Sequence, residues 1–366
     1  MIPPPSATAR DEPGAGPSPP GRRGLWLGFL LLGAAVVLLF SPLIGSVSVP
    51  PVRALEIILS GGGALFNPCS GGGPRCATYV EIVWQYRVPE LLLAVLTGAA
   101  LGISGGALQG IFRNPLADPF LLGISAGGTL GASLVFVFRI GEAQAYLFLP
   151  LLAFVGSLGT GVAILGVARG RYGSVETLLL TGVALNAFLS SILTIVLLYN
   201  PVQSLQVAFW LLGGLGEASW SRDGIVFGAL LAVGSVIAIH GRELNLLQLG
   251  NDVAQSAGVD ARKIRNRMLL LTSIATAVAV AFTGIIGFVG LVSPHVVRRL
   301  WGSSYRVVLP GAAVAGAAFL LAARDFSLLV FPADILPIGI FTSFAGVPFF
   351  LYLLYRRRRL TTMGGL

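Results

Sequence analysis

The sequence predicts an all-α polytopic integral membrane protein with about ten transmembrane helices. Of its 366 residues, 55% are hydrophobic and only 11% are charged, whereas a soluble globular protein carries about 25% charged residues. Long apolar runs recur along the chain, and a transmembrane helix needs about 20 such residues. The runs are continuous rather than alternating, which is not typical of a membrane β-barrel. This composition excludes an ordinary soluble enzyme and a nucleic-acid-binding protein.

Ten apolar runs define the predicted transmembrane helices. They lie at about 25–44, 88–108, 119–138, 145–168, 175–198, 224–240, 267–286, 288–300, 308–323 and 336–355. The chain has 49 glycines, many of them inside the runs, and small residues let helices pack closely in lipid. The first run follows Arg22 and Arg23 and is similar to a signal peptide, but its length favours a retained helix.

The chain divides into two tails and one membrane domain. Residues 1–23 are rich in Pro, Gly and Ser and predict a disordered cytoplasmic tail. The membrane domain is predicted at 24–357, and a second cytoplasmic tail at 358–366. Three of its connections are long: outer segments at 46–86 and 199–223, and an inner loop at 241–266. The inner loop is polar and contains a short helix-like stretch, which indicates a docking surface.

The positions of Lys and Arg predict the orientation. Ten helices that start from a cytoplasmic N-terminus place 18 of the 24 Lys and Arg residues inside and six outside. Cytoplasmic loops carry such an excess in membrane proteins. An odd number of helices would move the cluster 356–359 outside, against this rule. We therefore expect both termini in the cytoplasm, and we attribute the net charge of +9 to topology.

The segment 284–295 predicts a sharp break between two short helices. It contains three glycines and one proline within eleven residues. Non-helical backbone at membrane depth is tolerated only where it is buried in protein or lines a cavity. Gly287, Gly290 and Pro294 are therefore candidates for a transport pathway. His295 fits a proton relay or a packing position, and packing is the commoner role for a single histidine near a helix end.

The connection Arg113–Pro119 joins the second and third runs. Pro115 and Pro119 interrupt the helices, and Asn114 and Asp118 are residue types suited to cap a helix start. The segment is either a tight turn or a gate at the inner end of a pathway.

Cysteine, histidine and lysine are scarce. Cys69 and Cys76 lie in the outer loop with six residues between them, and an oxidising exterior favours a disulfide over a haem or metal site. Two His and two Cys are too few for the usual metal clusters. The single lysine, Lys263, does not stand in a Gly-Lys-Ser/Thr sequence, so the chain has no ATP-binding P-loop of its own.

A series of short motifs runs in order from about residue 80 to residue 357. The motifs are Arg87-Val88-Pro89, 98–105, Gln109-Gly110, 112–119, 122–125, 179–185, 249–260, 287–291, Pro294-His295, 336–339 and 346–350. Together they resemble the permease subunits of the ATP-binding-cassette (ABC) importers for iron–siderophore complexes, haem and cobalamin.

The resemblance implies a type II ABC importer permease fold that acts as a homodimer in the bacterial inner membrane. Such a permease moves a bulky iron chelate (siderophore), haem or cobalamin by alternating access. Two cytosolic ATPase subunits would bind ATP and Mg²⁺, and an extracytoplasmic binding protein would deliver the substrate. This chain is then expected to bind no cofactor and to be no enzyme. An ion-coupled secondary transporter is the alternative, but the apolar runs contain almost no ionisable residues.

The resemblance also implies roles for individual residues. ATPase coupling would involve Ser256, Ala257, Gly258, Val259, Asp260, Arg262 and Arg265. The cytoplasmic gate would involve Asn114, Leu116, Val175 and Glu176. The pathway would include Ser104 and Gln109 beside the three residues of the break. Docking of the binding protein would involve Arg87, Glu90 and Arg324, although Glu90 replaces a usual arginine and Arg324 is shifted from its usual place.

Overall fold

A computed structural model describes residues 32–69, 75–140, 145–168, 175–331 and 336–363. Within these ranges the chain forms fourteen helices and no strand, which confirms the predicted all-α class. The predicted tail 1–23 lies outside the described residues. Part of the other predicted tail, 358–363, continues the last helix.

In chain order the helices are α1 (Leu32–Leu43), α2 (Pro51–Leu59), α3 (Cys76–Phe112), α4 (Ile124–Phe138), α5 (Ala145–Ala168), α6 (Val175–Leu198), α7 (Pro201–Leu211), α8 (Trp220–Ile239), α9 (Gly241–Gln248), α10 (Asn251–Ser256), α11 (Ala261–Thr283), α12 (Val289–Trp301), α13 (Tyr305–Val330) and α14 (Ile338–Met363). Six of them are long and apolar enough to cross a membrane, namely α3, α5, α6, α8, α11 and α13. Helices α1, α4 and α14 contain shorter apolar stretches. With α12, these helices account for all ten predicted runs.

Local chemistry sets several helix ends. Pro201 occupies the first turn of α7, where its missing N–H costs nothing. The carboxylate of Asp260 accepts hydrogen bonds from the first N–H groups of α11, and Gly284 ends that helix at φ 67°. The predicted run 119–138 is divided, because Gly123 adopts φ 69° between a short 3₁₀ turn and α4.

Helix α3 forms the centre of the bundle. Its apolar window is 89% buried, whereas that of α6 is only 6% buried. A Cβ at Gly98 would overlap the carbonyl oxygen of Gly316 in α13, and a Cβ at Gly105 would overlap that of Gly290 in α12. Glycine therefore brings the three backbones into contact, as is common where helices associate in lipid.

The predicted outer end of the bundle carries a small separate core. Val49, Ala54 and Ile57 pack against Val83, near the start of α3. Cys69 and Cys76 form a disulfide beside this core. Helix α3 thus begins at Cys76, earlier than its apolar run, because its first turns pack on α2 and the outer loop rather than on lipid.

Candidate functional site

We name residues 241–266 the coupling segment. It consists of α9, α10 and the first turns of α11. Gly258 has φ 80° and ends α10, while Val259 donates its N–H back to the carbonyl of Ala254. Of the residues expected to couple to an ATPase, Val259 and Arg265 are half-buried and the others are exposed. The exposed ones are Ser256, Ala257, Gly258, Asp260 and Arg262.

Asp260 is the N-cap residue of α11, within the coupling segment. Its Oδ1 accepts hydrogen bonds from the N–H groups of Arg262 and Lys263, both at 3.0 Å. The bond from Lys263 lowers the pKa of the Asp260 carboxyl, with a smaller contribution from Arg262. The carboxylate therefore stays ionised at neutral pH and caps the start of α11.

Two side-chain hydrogen bonds join the coupling segment to the last turn of α3. Gln248 Nε2 donates to the carbonyl oxygen of Gly110 at 2.7 Å, and Arg113 Nη2 donates to Oδ1 of Asn251 at 2.6 Å. Arg113 itself has φ 50° and ends α3. The exposed helix α10 is thus held directly against the central helix. Neither contact is evident in the sequence, because the partners lie 138 residues apart.

The predicted gate residues lie beside the coupling segment. The side chain of Asn114 accepts a hydrogen bond from the N–H of Leu116 at 3.0 Å and closes the turn after α3. Glu176, exposed in the first turn of α6, attracts the guanidinium of Arg265. The structure therefore brings a predicted gate residue and a predicted coupling residue together. The side chain of Val175 lies outside the described residues.

Asp118 is a buried carboxyl in the same connection. Its Oδ1 accepts the N–H of Phe120 at 2.9 Å, so the predicted cap is present, while Oδ2 has no hydrogen-bond partner among the described residues. Burial raises the pKa of the Asp118 carboxyl to about 6, against the smaller lowering effect of the Phe120 N–H. Capping residues are usually exposed, so the sequence did not predict this burial.

The break between α11 and α12 is present as predicted. Gly284 and Phe288 adopt left-handed backbone angles, and the chain between them is not helical. Gly287 lines an apolar cavity of about 620 Å³, together with Ile340, Phe344 and Val347 of α14. Phe344 is 73% exposed, so this cavity opens at the surface of the chain.

The other predicted pathway residues lie away from open space. Ser104, Gln109, Gly290 and Pro294 are all buried. Gln109, Gly290 and Pro294 lie in the contact between α3 and α12. In this structure these side chains are packed between helices, and their role on the pathway stays a prediction. His295 makes an edge-to-face contact with Phe349, at 5.6 Å between ring centroids, which agrees with a packing role.

The predicted docking residues form an internal network instead of an exposed surface. Arg324 is 1% exposed and pairs with Glu90 and Asp325, at 2.8 and 2.9 Å. Asp325 also accepts a hydrogen bond from the hydroxyl of Ser41. Arg87 is 4% exposed and donates to backbone carbonyls near the end of α1. In this structure the donors of Arg87 and Arg324 are satisfied by internal partners, and the contact of these residues with a binding protein stays a prediction.

The described residues hold no group of three or more His, Cys, Asp or Glu side chains that could bind a metal ion. A second cavity, of about 310 Å³, lies at the predicted outer end beside the network of Arg324. Residues near it link three elements: Gly214 donates to the carbonyl of Thr283 at 2.8 Å, and Ile338 donates to that of Gly213 at 3.0 Å. The segment after α7 thus joins the end of α11 to the start of α14.

The family is decided by a match over nearly the whole membrane domain. The model of the FecCD transport family matches residues 31–356. The chain belongs to this family. The buried glycine-rich α3, the break before α12 and the coupling segment all lie within the region that matches the FecCD family. The resemblance inferred from the ordered motifs is therefore confirmed.

Named relatives of this FecCD permease include permease proteins of two transport systems. The hemin transport system permease protein HmuU of Yersinia pestis is 41% identical over 281 residues, which is 75% of this chain and 84% of HmuU. The vitamin B12 import system permease protein BtuC of Escherichia coli is 38% identical over 314 residues, 85% of this chain and 94% of BtuC. The chain is thus a membrane-embedded permease of the FecCD transport family.

A solved structure has the same fold. It is described as an inward-facing conformation of a metal-chelate type ABC transporter, and it superposes with a TM-score of 0.76 at 26% sequence identity. The match covers 91% of this FecCD permease and 99% of that chain. The helical architecture of this chain is therefore that of an ABC transporter permease.

Proposed function

We propose that this chain is the permease subunit of an ATP-driven importer that carries a bulky iron chelate, haem or cobalamin across the bacterial inner membrane. It acts as a homodimer by alternating access, with both termini in the cytoplasm. Two cytosolic ABC ATPase subunits bind ATP and Mg²⁺, and an extracytoplasmic binding protein delivers the substrate. The chain itself binds no cofactor and catalyses no reaction. The hemin and vitamin B12 relatives support this range of substrates.

The coupling segment is the observation that carries the proposal. It presents an exposed short helix, α10, whose base is fixed to α3 by the bonds of Gln248 and Arg113. A docked ATPase that moves α10 therefore acts directly on the central helix. The chain has no P-loop, so a partner must hydrolyse the ATP. Two-state proteins respond to a partner that binds one state better than the other.

We assign the substrate pathway to the surface around Gly287 and Phe344. This surface is apolar and opens outward at the break before α12. In a homodimer with α14 near the axis, two such surfaces would face each other and enclose a wide pathway. A wide apolar pathway suits bulky chelates, and it leaves the choice of substrate mainly to the binding protein.

Uptake into proteoliposomes tests the proposal. The permease is reconstituted with its ATPase and binding protein, and haem, cyanocobalamin and ferrichrome are offered separately from the side of the binding protein. We expect ATP-dependent accumulation of one of the three. Accumulation of none of them, in vesicles whose ATPase is active, would contradict the proposed substrate range.

A further inference from the structure

Helix α12 contains a backbone carbonyl that its own helix cannot satisfy. In an α-helix the carbonyl of residue 290 accepts from the N–H of residue 294. Residue 294 is a proline inside α12 and has no N–H to donate. Gly290 is buried in the contact with α3, where a carbonyl without a partner is costly. A donor must therefore come from another element.

Gln109 of α3 supplies that donor. Its side chain is 1% exposed, and Nε2 lies 3.3 Å from the carbonyl oxygen of Gly290 and 3.5 Å from that of Leu291. Gln109 follows Gly105 by four residues, on the same face of α3, so the glycine contact and the side-chain bond act together. The buried amide thus fills the gap that Pro294 leaves.

The other end of the same amide is fixed by α12 as well. Both Nη atoms of Arg298 lie 2.6 Å from Oε1 of Gln109. The guanidinium also lies over the ring of Tyr305, 5.7 Å from its centroid. A charged bidentate donor makes this contact stronger than a neutral hydrogen bond. One side chain of α3 therefore holds α12 near its start and near its last turn.

The coupling segment contacts the turn of α3 that contains Gln109. Gln248 bonds to the carbonyl of Gly110, the next residue, and Asn251 bonds to Arg113, one turn further. A displacement of α9 or α10 would therefore pull on α3 within about one helical turn of Gln109. The path from α10 to the start of α12 therefore consists of these side-chain hydrogen bonds and the short stretch of α3 backbone between them.

We propose that Gln109 is a positioning residue that transmits movement of the coupling segment to the proline-interrupted helix α12. This inference rests on the proposed function, because it presumes an ATPase that moves the coupling segment. Loss of the amide would leave the docking surface intact, since the hydrogen bonds of Gln109 go to α12 and none of them to α10. Nucleotide hydrolysis would then continue without moving the break.

The test is the number of ATP molecules hydrolysed for each molecule imported. The probe is haem, cyanocobalamin or ferrichrome, whichever the wild-type importer accumulates. Gln109→Leu removes both contacts at similar volume, and Gln109→Glu keeps the acceptor for Arg298 but loses the donor for Gly290. For both variants we expect the ratio to rise at least about fivefold, the lower range of measured allosteric couplings.

Thr97→Val is the matched control. Thr97 lies on the same helix, is 0% exposed, and its hydroxyl has no hydrogen-bond partner among the described residues. We expect this variant to keep the wild-type ratio. A purely structural role of Gln109 would reduce uptake and hydrolysis together, through loss of folded complexes, and would leave the ratio unchanged.

A ratio within twofold of the wild type in both Gln109 variants would overturn the inference. If Gln109→Leu does not fold, Gln109→Glu alone decides, because it retains the pair with Arg298. Failure of the wild type to show ATP-dependent uptake would instead overturn the proposed function, so the two failures are distinguishable.

Discussion

The buried carboxyl of Asp118 makes stability depend on pH. Its pKa is about 6 in the folded protein, against an ordinary value of 3.8. The folded state therefore holds a proton that the unfolded state has released between about pH 4 and pH 6, and stability falls as pH rises through this window. One pKa unit corresponds to about 1.4 kcal/mol, so the cost above pH 6 is about 3 kcal/mol.

Asp118→Asn should remove this cost, because the amide is neutral and can still accept the N–H of Phe120. In detergent we expect a higher unfolding temperature than wild type at pH 7.5, and a small difference at pH 4.5. The exposed Glu81, changed to Gln, is the control and should not alter the pH dependence. An equal effect of Asp118→Asn at both pH values would contradict the assignment.

Arg324 is the second residue whose burial gives a clear prediction. Its guanidinium is shared between Glu90 and Asp325, and removing one member of a buried ion pair costs about 3–5 kcal/mol. We expect Arg324→Leu to lower the unfolding temperature strongly. The triple variant that adds Glu90→Gln and Asp325→Asn to Arg324→Leu should regain part of this loss, because no unpaired carboxylate is left. If Arg324→Leu left the unfolding temperature unchanged but weakened the affinity of the permease for the binding protein, the result would contradict a structural role and would favour the docking role that the resemblance implies.

Residues of the coupling segment could be identified from the sequence because their signal is local. Gly250, Asp260 and Gly258 mark the ends of short helices by their own chemistry. The internal partners of Arg87 and Arg324 could not be predicted, because they are distant in sequence. Arg324 lies 234 residues from Glu90, and only the fold brings them together.

The apolar composition of the runs predicted which segments form helices, but it did not predict how those helices pack against each other. Each of the ten apolar runs coincides with a helix, since burial in lipid demands internally bonded backbone. The runs did not predict that α3 lies at the centre or that α12 packs against it. Those features depend on which glycines face each other, and Gly105 and Gly290 are separated by about half of the chain.

Close backbone contact between α3 and α13 should tolerate no side chain at Gly98. A Cβ there would overlap the carbonyl oxygen of Gly316, and such overpacking costs about 1–3 kcal/mol. We expect Gly98→Ala to lower the yield of folded protein and its unfolding temperature. Gly159 of α5 is the matched control, because a Cβ there meets no atom within 4 Å. Equal behaviour of Gly98→Ala and Gly159→Ala would show that the two helices lie further apart than a glycine contact requires.

At the scale of the whole molecule, side-chain hydrogen bonds link the coupling segment to α3 and α3 to α12. The coupling segment, the central helix α3 and the break before α12 form a connected path from an exposed helix to an open apolar surface. The sequence predicted both ends of this path, by caps at one end and by glycines and a proline at the other. It did not predict the buried link through Gln109, because a single glutamine inside an apolar run carries no pattern.

In the proposed mechanism, hydrolysis of ATP by a partner drives import through this chain. The most direct measurement is the initial rate of uptake into proteoliposomes, compared between the active ATPase and a variant that binds ATP without hydrolysing it. We predict that sustained uptake occurs only with the active ATPase and is unaffected when ion gradients are dissipated. Sustained uptake with the inactive ATPase, or its loss when the gradients collapse while ATP stays high, would contradict the account.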